Sequence, residues 1–162
     1  MARSALTVAR CEPTNSGLTK FMPNGELWFS TPVQTVITTK EVPVKALGTT
    51  TLLSAVDFDM PANNRLRYLG TVPRMFFVTA AITAIAAANN KLLGFHVAKN
   101  GTVLDEAHLD RFVATGADQG AITTQVLVNL SYGDYVETWV ENETDTTDLT
   151  IEHCIMICTA VG

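Results

Sequence analysis

The sequence predicts an all-β sandwich or barrel with an extended N-terminal arm. Short segments rich in Thr, Val, Ile and aromatic residues recur from Val33 onward, with turn clusters between them. Asn100-Gly101 marks a tight hairpin in the middle of the chain, and a second, longer hairpin ends it. Strands at such regular spacing favour a sandwich or barrel over a mixed α/β fold.

The first 32 residues are predicted to form the arm. They show no steady hydrophobic period, and they contain the turn residues Pro13, Gly17, Pro23, Asn24-Gly25 and Pro32. Aromatic side chains on an exposed arm are unfavourable, so we expect them to be docked. The chain's own domain and a neighbouring subunit are both open as the docking surface. Residues 33–162 are predicted to form one β domain.

The turn signals delimit the strands of this domain. We predict strands at 33–38, 50–59, 65–71, 75–85, 92–99, 102–114, 121–130, 134–142 and 148–161. The run Ala80 to Ala88 is ambiguous because alanine favours helix. Its β-branched and aromatic neighbours indicate a strand instead.

Two hairpins are the clearest local signals. Asn100-Gly101 fits a primed turn, which requires positive φ at both central residues. In the final hairpin, side chains of different character alternate from Tyr135 to Glu141, as expected for a strand between two environments. A polar turn over 142–148 leads to the apolar last strand, Leu149 to Val161, which must be buried.

The predicted core draws on most of these strands. We expect its members to be buried within the subunit or between subunits. The predicted core residues are Val36, Leu53, Phe58, Phe77, Ile82, Phe95, Val97, Val126, Val128, Val136, Val140, Leu149, Ile151, Ile155 and Ile157.

Charge is distributed unevenly along the chain. Residues 1–100 hold ten Lys/Arg and five Asp/Glu, whereas residues 101–162 hold one basic residue, Arg111, and eleven acids. The acidic C-terminal part would repel phosphate backbones, so we expect no nucleic-acid partner.

Cysteine and hydropathy patterns disfavour secretion through a signal peptide and membrane insertion. Cys11, Cys154 and Cys158 form no disulfide framework, and Met1-Ala-Arg-Ser begins no apolar signal core. On one strand, Cys154 and Cys158 would lie about 13 Å apart, beyond disulfide reach. The longest apolar run, Met75 to Ala88, is too short to span a bilayer.

Several segments taken together resemble a known superfamily. They are Phe95-His96-Val97-Ala98-Lys99-Asn100-Gly101, the strand Gly133-Asp134-Tyr135-Val136-Glu137 and the Thr-rich final hairpin. They are similar to the jelly-roll heads of the tumour-necrosis-factor/complement type, as found in tailed-bacteriophage virion proteins. The resemblance covers roughly residues 33 to 162.

The resemblance implies a jelly-roll β-sandwich that assembles as a homotrimer. It further implies a non-enzymatic virion structural protein, made in the host cytoplasm and located on the capsid surface. The implied role is a capsid decoration protein that contacts the major capsid protein or neighbouring virion subunits. The alternative is a trimeric fibre or tail head that binds a host-surface carbohydrate or protein. The sequence has no coiled-coil or collagen-like stem, which disfavours a long fibre.

Two groups of residues are expected to make intermolecular contacts. A basic and aromatic attachment arm comprises Arg3, Arg10, Lys20, Phe21, Trp28 and Phe29. It would lie against a capsid or a neighbouring subunit, with wrapping of its own subunit as the competing account. The second group, Tyr132, Tyr135 and Trp139, would form a trimer contact or a carbohydrate-stacking platform.

We expect no metal, cofactor or catalytic residues. Glu106, His108 and Asp110 would share one strand face, which is more simply a solvated polar face than a metal site. His96, His153 and Cys154 lack a paired zinc-ligand spacing.

Other functional signals are equally weak. Two groups of acidic residues could hold calcium. The first is Asp57 and Asp59, and the second is Glu143, Asp145 and Asp148. Neither group forms an EF-hand loop. No nucleophile elbow, phosphate loop, dinucleotide fingerprint or zinc-protease helix is present.

Overall fold

The computed structural model describes residues 22–114 and 118–161 and shows a two-sheet β-sandwich. The strands are β1 (Asn24–Pro32), β2 (Gln34–Thr35), β3 (Val44–Lys45), β4 (Gly48–Val56), β5 (Phe58–Asp59), β6 (Leu66–Tyr68), β7 (Arg74–Ala86), β8 (Lys91–Lys99), β9 (Thr102–Val103), β10 (Leu109–Val113), β11 (Gly120–Leu130), β12 (Tyr135–Asn142) and β13 (Leu149–Ala160). A short 3-10 helix spans Asp105–Ala107. Within the described residues, no helix is long and apolar enough to cross a membrane.

All strand pairs are antiparallel. Sheet I has the order β11-β7-β13-β1-β4, with β2 paired to β13. Sheet II has the order β10-β8-β12-β6-β5, with β3 paired to β12 and β9 to β8. The last strand, β13, therefore lies in the centre of sheet I, between β7 and β1. This arrangement is a jelly-roll sandwich, as predicted.

Alternation along the long strands generates the core. On β7, Phe76, Val78, Ala80, Ile82 and Ala84 point inward and are buried, and the residues between them are at least partly exposed. The alanine run is thus a strand, because its small side chains occupy every second inward position of a central strand. Phe58, Tyr68 and Phe76 form an aromatic cluster with ring centroids 4.9–5.3 Å apart.

The predicted tight hairpin is confirmed. Asn100 and Gly101 both have positive φ, 52° and 78°, and Lys99 pairs with Thr102 across the turn. A positive φ is accessible to glycine without steric penalty and is tolerated by asparagine.

Several predicted strands are shorter than expected, and 65–71, for example, is reduced to Leu66–Tyr68. The 50–59 segment breaks at Asp57, whose φ of 57° separates β4 of sheet I from β5 of sheet II. The 102–114 segment is interrupted by the 3-10 helix, and the 33–38 segment is reduced to Gln34–Thr35. Each break follows local backbone geometry that an alternating pattern does not encode.

The predicted arm boundary at residue 32 is wrong for its last nine residues. Asn24–Pro32 forms β1, which pairs with both β13 and β4. Leu27 and Phe29 are buried in the core of their own domain. The sequence pattern did not predict this strand because both of its ends contain residues that are typical of turns.

Candidate functional site

The outer face of sheet I carries a set of apolar side chains, with polar ones such as Glu26, Thr79 and Gln125 among them. In one row across the sheet, Trp28 lies opposite Ile155, Ile155 opposite Ala81, and Ala81 opposite Thr123. All four point away from the core because they alternate with buried residues. The row therefore runs across four strands in register.

Neighbouring rows extend this surface. Ile157 follows Ile155 two residues on, and Phe77 lies opposite Leu127 in the row beyond. We call the whole surface the apolar face, and its exposed large members are Trp28, Met75, Phe77, Leu127, Ile155, Ile157 and Val161. Phe77, Ile155 and Ile157 are each about 40% exposed although the sequence predicts them to be buried within or between subunits. Leu53 is exposed on the neighbouring β4, and Val36 is exposed in the loop after β2.

A shallow depression of about 610 Å³ lies at one end of the apolar face. Trp28, Ile155 and His153 line it together with small residues such as Ala81 and Ala121. Small side chains on β7 and β11 thus leave a concavity beside the indole of Trp28. Such a shape suits a bulky apolar side chain from outside the subunit.

The outer side of sheet II has a different chemistry. The carboxylate of Glu137 is buried, and it accepts hydrogen bonds from Lys45 Nζ at 2.6 Å, Arg65 Nε at 2.8 Å and Trp139 Nε1 at 3.1 Å. Burial alone would raise the pKa of Glu137, but these hydrogen bonds outweigh it and hold the pKa below its usual value. The two outer surfaces of the sandwich are therefore distinct, one apolar and one charged.

The attachment-arm residues are only partly within the described chain. Trp28 points out of sheet I on the apolar face, and its neighbour Phe29 points into the core. Phe29 is thus not available for attachment, contrary to the prediction. Arg3, Arg10, Lys20 and Phe21 lie outside the described residues.

The three aromatics predicted to make contacts do not form one platform. Trp139 is partly buried and donates a hydrogen bond to Glu137. The guanidinium of Arg65 lies over the ring of Tyr135, with its Cζ atom 3.9 Å from the ring centroid. Tyr132 is 69% exposed in the turn before β12. Their role as a trimer or ligand contact stays a prediction.

A cluster of histidines and carboxylates lies on sheet II. His96 lies on β8, Asp110 lies on β10, and His108 directly precedes β10. Glu141 lies on β12, and Glu143 lies in the turn that follows β12. His96 Nε2 lies 2.8 Å from Glu141 Oε1, and the two imidazole rings stack with centroids 4.2 Å apart. We call these five residues the histidine cluster.

The sequence pattern recovered this cluster only in part. His108 and Asp110 belong to the predicted polar face, but Glu106 lies on the 3-10 helix and is not among the grouped ligands. Residues distant in sequence complete the cluster, because Glu141 pairs with Gly94 across β12 and β8. Spacing along one strand could not reveal that pairing.

Three of the five calcium candidates considered from the sequence are engaged by the protein itself. Asp59 forms an ion pair with Arg67, and Asp145 forms one with Lys91. Asp148 accepts a hydrogen bond from the backbone of Ile37 at 2.9 Å. His153 is exposed on sheet I while its neighbour Cys154 is buried, and neither is grouped with His96 as a metal ligand among the described residues.

No protein-family model matches the sequence, and no curated protein matches it. Known structures do match the fold. The Eiger TNF of S. frugiperda aligns over 87% of this chain and 93% of its own, with a TM-score of 0.54 and 10% identity. Murine APRIL at pH 5.0 aligns over 84% of this chain and 98% of its own, with a TM-score of 0.51 and 7% identity. The chain therefore has a jelly-roll fold of the tumour-necrosis-factor type.

Proposed function

We propose that this chain is a non-enzymatic structural protein that assembles as a homotrimer through the apolar face of sheet I. We further propose that the trimer is a surface component of a viral particle, foremost a capsid decoration protein. The trimer is supported by the geometry of the apolar face and by the fold. The particle role is supported by the resemblance set out from the sequence.

The apolar face is the observation that carries the trimer. Trp28 pairs with Ile155 and Phe77 pairs with Leu127, and Ile157 lies between these two pairs, so the exposed members cluster rather than stand singly. A contiguous patch of this kind on a soluble protein marks an interaction surface. A second copy of the same chain is the simplest occupant, because closed rotational symmetry covers every copy's patch at once.

The non-enzymatic character is supported by the state of the thiols. Cys154 and Cys158 are buried on β13, and burial raises the pKa of Cys154 to about 12 and that of Cys158 further. The thiolate is the nucleophilic form, so neither side chain is suited to covalent catalysis.

Attachment to a particle is assigned to residues before β1. The basic residues Arg3, Arg10 and Lys20 precede the described domain, whereas the C-terminal third is acidic. A basic segment against the particle and an acidic surface outside would keep particles apart by like-charge repulsion. The alternative of a fibre or tail head is favoured by Tyr132, an exposed aromatic ring able to stack on a sugar.

The oligomer is tested by light scattering on the full chain. We expect a mass of three times 17.5 kDa, and Ile157→Lys should shift it to 17.5 kDa while the circular dichroism stays β-rich. Val42→Lys is the matched control, because Val42 is similarly exposed but lies outside the apolar face. A monomeric wild type at micromolar concentration would contradict the proposal.

The particle role needs its own experiment. Deletion of residues 2–21 removes the arm but spares β1, whereas deletion of 1–30 would also remove the buried Leu27 and Phe29. We expect the shorter deletion to leave a soluble oligomer that no longer binds particles. Imaging then separates the two roles, since decoration predicts many copies at local threefold positions and a fibre head predicts few at one vertex or tail.

A further inference from the structure

One nitrogen in the histidine cluster faces three carboxylates. His108 Nε2 lies 2.7 Å from Asp110 Oδ1, 3.2 Å from Glu143 Oε1 and 3.6 Å from Glu141 Oε1. A single N–H can satisfy one of these oxygens, yet none of the three approaches has good hydrogen-bond geometry, and Nε2 is shielded from solvent. The arrangement matches the demands of a positive ion better than those of a hydrogen bond.

The charges around this nitrogen are poorly compensated. Asp110 and Glu143 are close enough to hydrogen-bond each other, so two carboxyl groups meet beside it. His96 is 4% exposed, and its Nδ1 has no hydrogen-bond partner among the described residues.

The backbone leaves space beside these donors. Gly94 pairs with both Asp110 and Glu141 across the sheet. A Cβ at this position would lie 2.9 Å from Glu141 Oε1 and 2.9 Å from His108 Nε2. The glycine thus keeps open the side of the cluster where the ligand atoms converge.

We propose that His96, His108 and Glu141, with Asp110 and Glu143 at the rim, form a binding site for one divalent first-row transition-metal ion. The donor atoms of His96, His108 and Glu141 lie within 4.8 Å of one another. Donors about 2 Å from a zinc ion lie roughly 3 to 4 Å apart, so the site needs a contraction. The rings of His96 and His108 stack at an interplanar angle of 16°, so one ring must also rotate before both nitrogens can face the same ion. His108, one third exposed, is the ligand with most room to move.

The ligand types select the class of metal. Two imidazoles with carboxylates suit zinc, nickel, copper or iron, whereas calcium and magnesium prefer oxygen donors alone. An ion at this position would link the edge strand β10 to β8 and β12. Its effect would be to stabilise the edge of sheet II, independently of the apolar face on sheet I.

Calorimetric titration of the chelator-stripped full chain with ZnCl2 tests the site. The chain carries Cys11→Ser and no histidine tag, because Cys11 lies outside the described residues and could bind zinc separately. We expect one ion per chain, a raised melting temperature, and a visible absorption band when Co²⁺ replaces Zn²⁺. His108→Ala should weaken binding by about tenfold or more.

His153→Ala is the matched control, since His153 is exposed on the opposite sheet. It should bind zinc as the parent does. Glu143→Gln, at the rim, provides a second variant if His108→Ala loses its β-rich circular dichroism. The proposal is overturned if the parent binds no zinc at micromolar concentration, if His153→Ala weakens binding as much as His108→Ala, or if equimolar Ca²⁺ displaces the zinc.

Discussion

Asn64 makes hydrogen bonds with both backbone groups of Thr138. Its Nδ2 donates to the Thr138 carbonyl at 2.7 Å, and its Oδ1 accepts from the Thr138 N–H at 3.0 Å. Nδ2 also donates to the carbonyl of Ala46 at 2.9 Å, and the side chain is fully buried. One amide thus takes the place of a neighbouring strand beside β12.

Asn64→Gly should lower the free energy of unfolding by about 2–4 kcal/mol, because the buried Thr138 N–H loses its partner and the Thr138 carbonyl is left with the backbone N–H of Ala46. Glycine preserves the φ of 53° at this position, so the loss reports the amide rather than the backbone. Chemical denaturation measures it, and Asn90→Gly, at an exposed site with a φ of 58°, is the control. Equal effects of the two changes would refute the role given to the amide.

Phe76 and Phe77 are neighbours on β7 with opposite surroundings. Phe76 is fully buried, and Phe77 is 40% exposed on the apolar face. Phe76→Ala should cost about 3–5 kcal/mol at every protein concentration, as expected for a core cavity. The cost of Phe77→Ala should shrink as the protein is diluted, since it acts through association. Concentration-dependent urea denaturation distinguishes the two, and a concentration-independent loss for Phe77→Ala would argue against the interface.

The buried carboxylate of Glu137 should make its two cationic partners interdependent. Lys45→Met or Arg65→Met alone should destabilise the fold modestly, because the other cation still pairs with Glu137. The double variant should lose about 3–5 kcal/mol, since it leaves a buried charge with Trp139 Nε1 as its remaining side-chain donor. Replacing Glu137 by Gln in the double variant should restore part of that loss. Strict additivity in denaturation experiments would contradict this coupling.

Asp145 should contribute to stability until the pH becomes strongly acidic. The hydrogen bond from Lys91, with further ones from Thr147, lowers the pKa of Asp145 to about 2 from 3.8. A carboxyl whose pKa is lower in the folded state stabilises above its unfolded pKa and loses this effect as pH falls through the folded value. Asp145→Asn should therefore lose less stability than the parent between about pH 4 and pH 2. Urea denaturation midpoints measured across this pH range test the difference between Asp145→Asn and the parent. Asp57→Asn is the charge control, because Asp57 is exposed.

Local chemistry made much of the sheet structure predictable. The Asn100-Gly101 turn needs no tertiary information, because the two residues themselves allow positive φ. The last strand was recognisable because alternation from Leu149 onward requires one buried face. Strand β1 was missed because Pro23, Gly25 and Pro32 resemble loop residues until β13 and β4 pair with them.

The candidate sites depended far more on pairing. Phe77, Ile155 and Ile157 look like core residues in sequence, and only the direction of their side chains on sheet I shows that they face outward. His96 and Glu141 are brought together by the register between β8 and β12, which fixes Gly94 opposite Glu141. No single-strand pattern contains that register.

The central position of β13 gives the protein a built-in kinetic probe. Cys154 and Cys158 point into the core from this strand, so an alkylating reagent can reach them only when the middle of sheet I separates from the core. Once Cys11 is replaced, the rate at which these thiols are modified under native conditions reports how often such opening occurs. Ligands that hold the sandwich closed would slow this modification, so their binding could be followed without any added label.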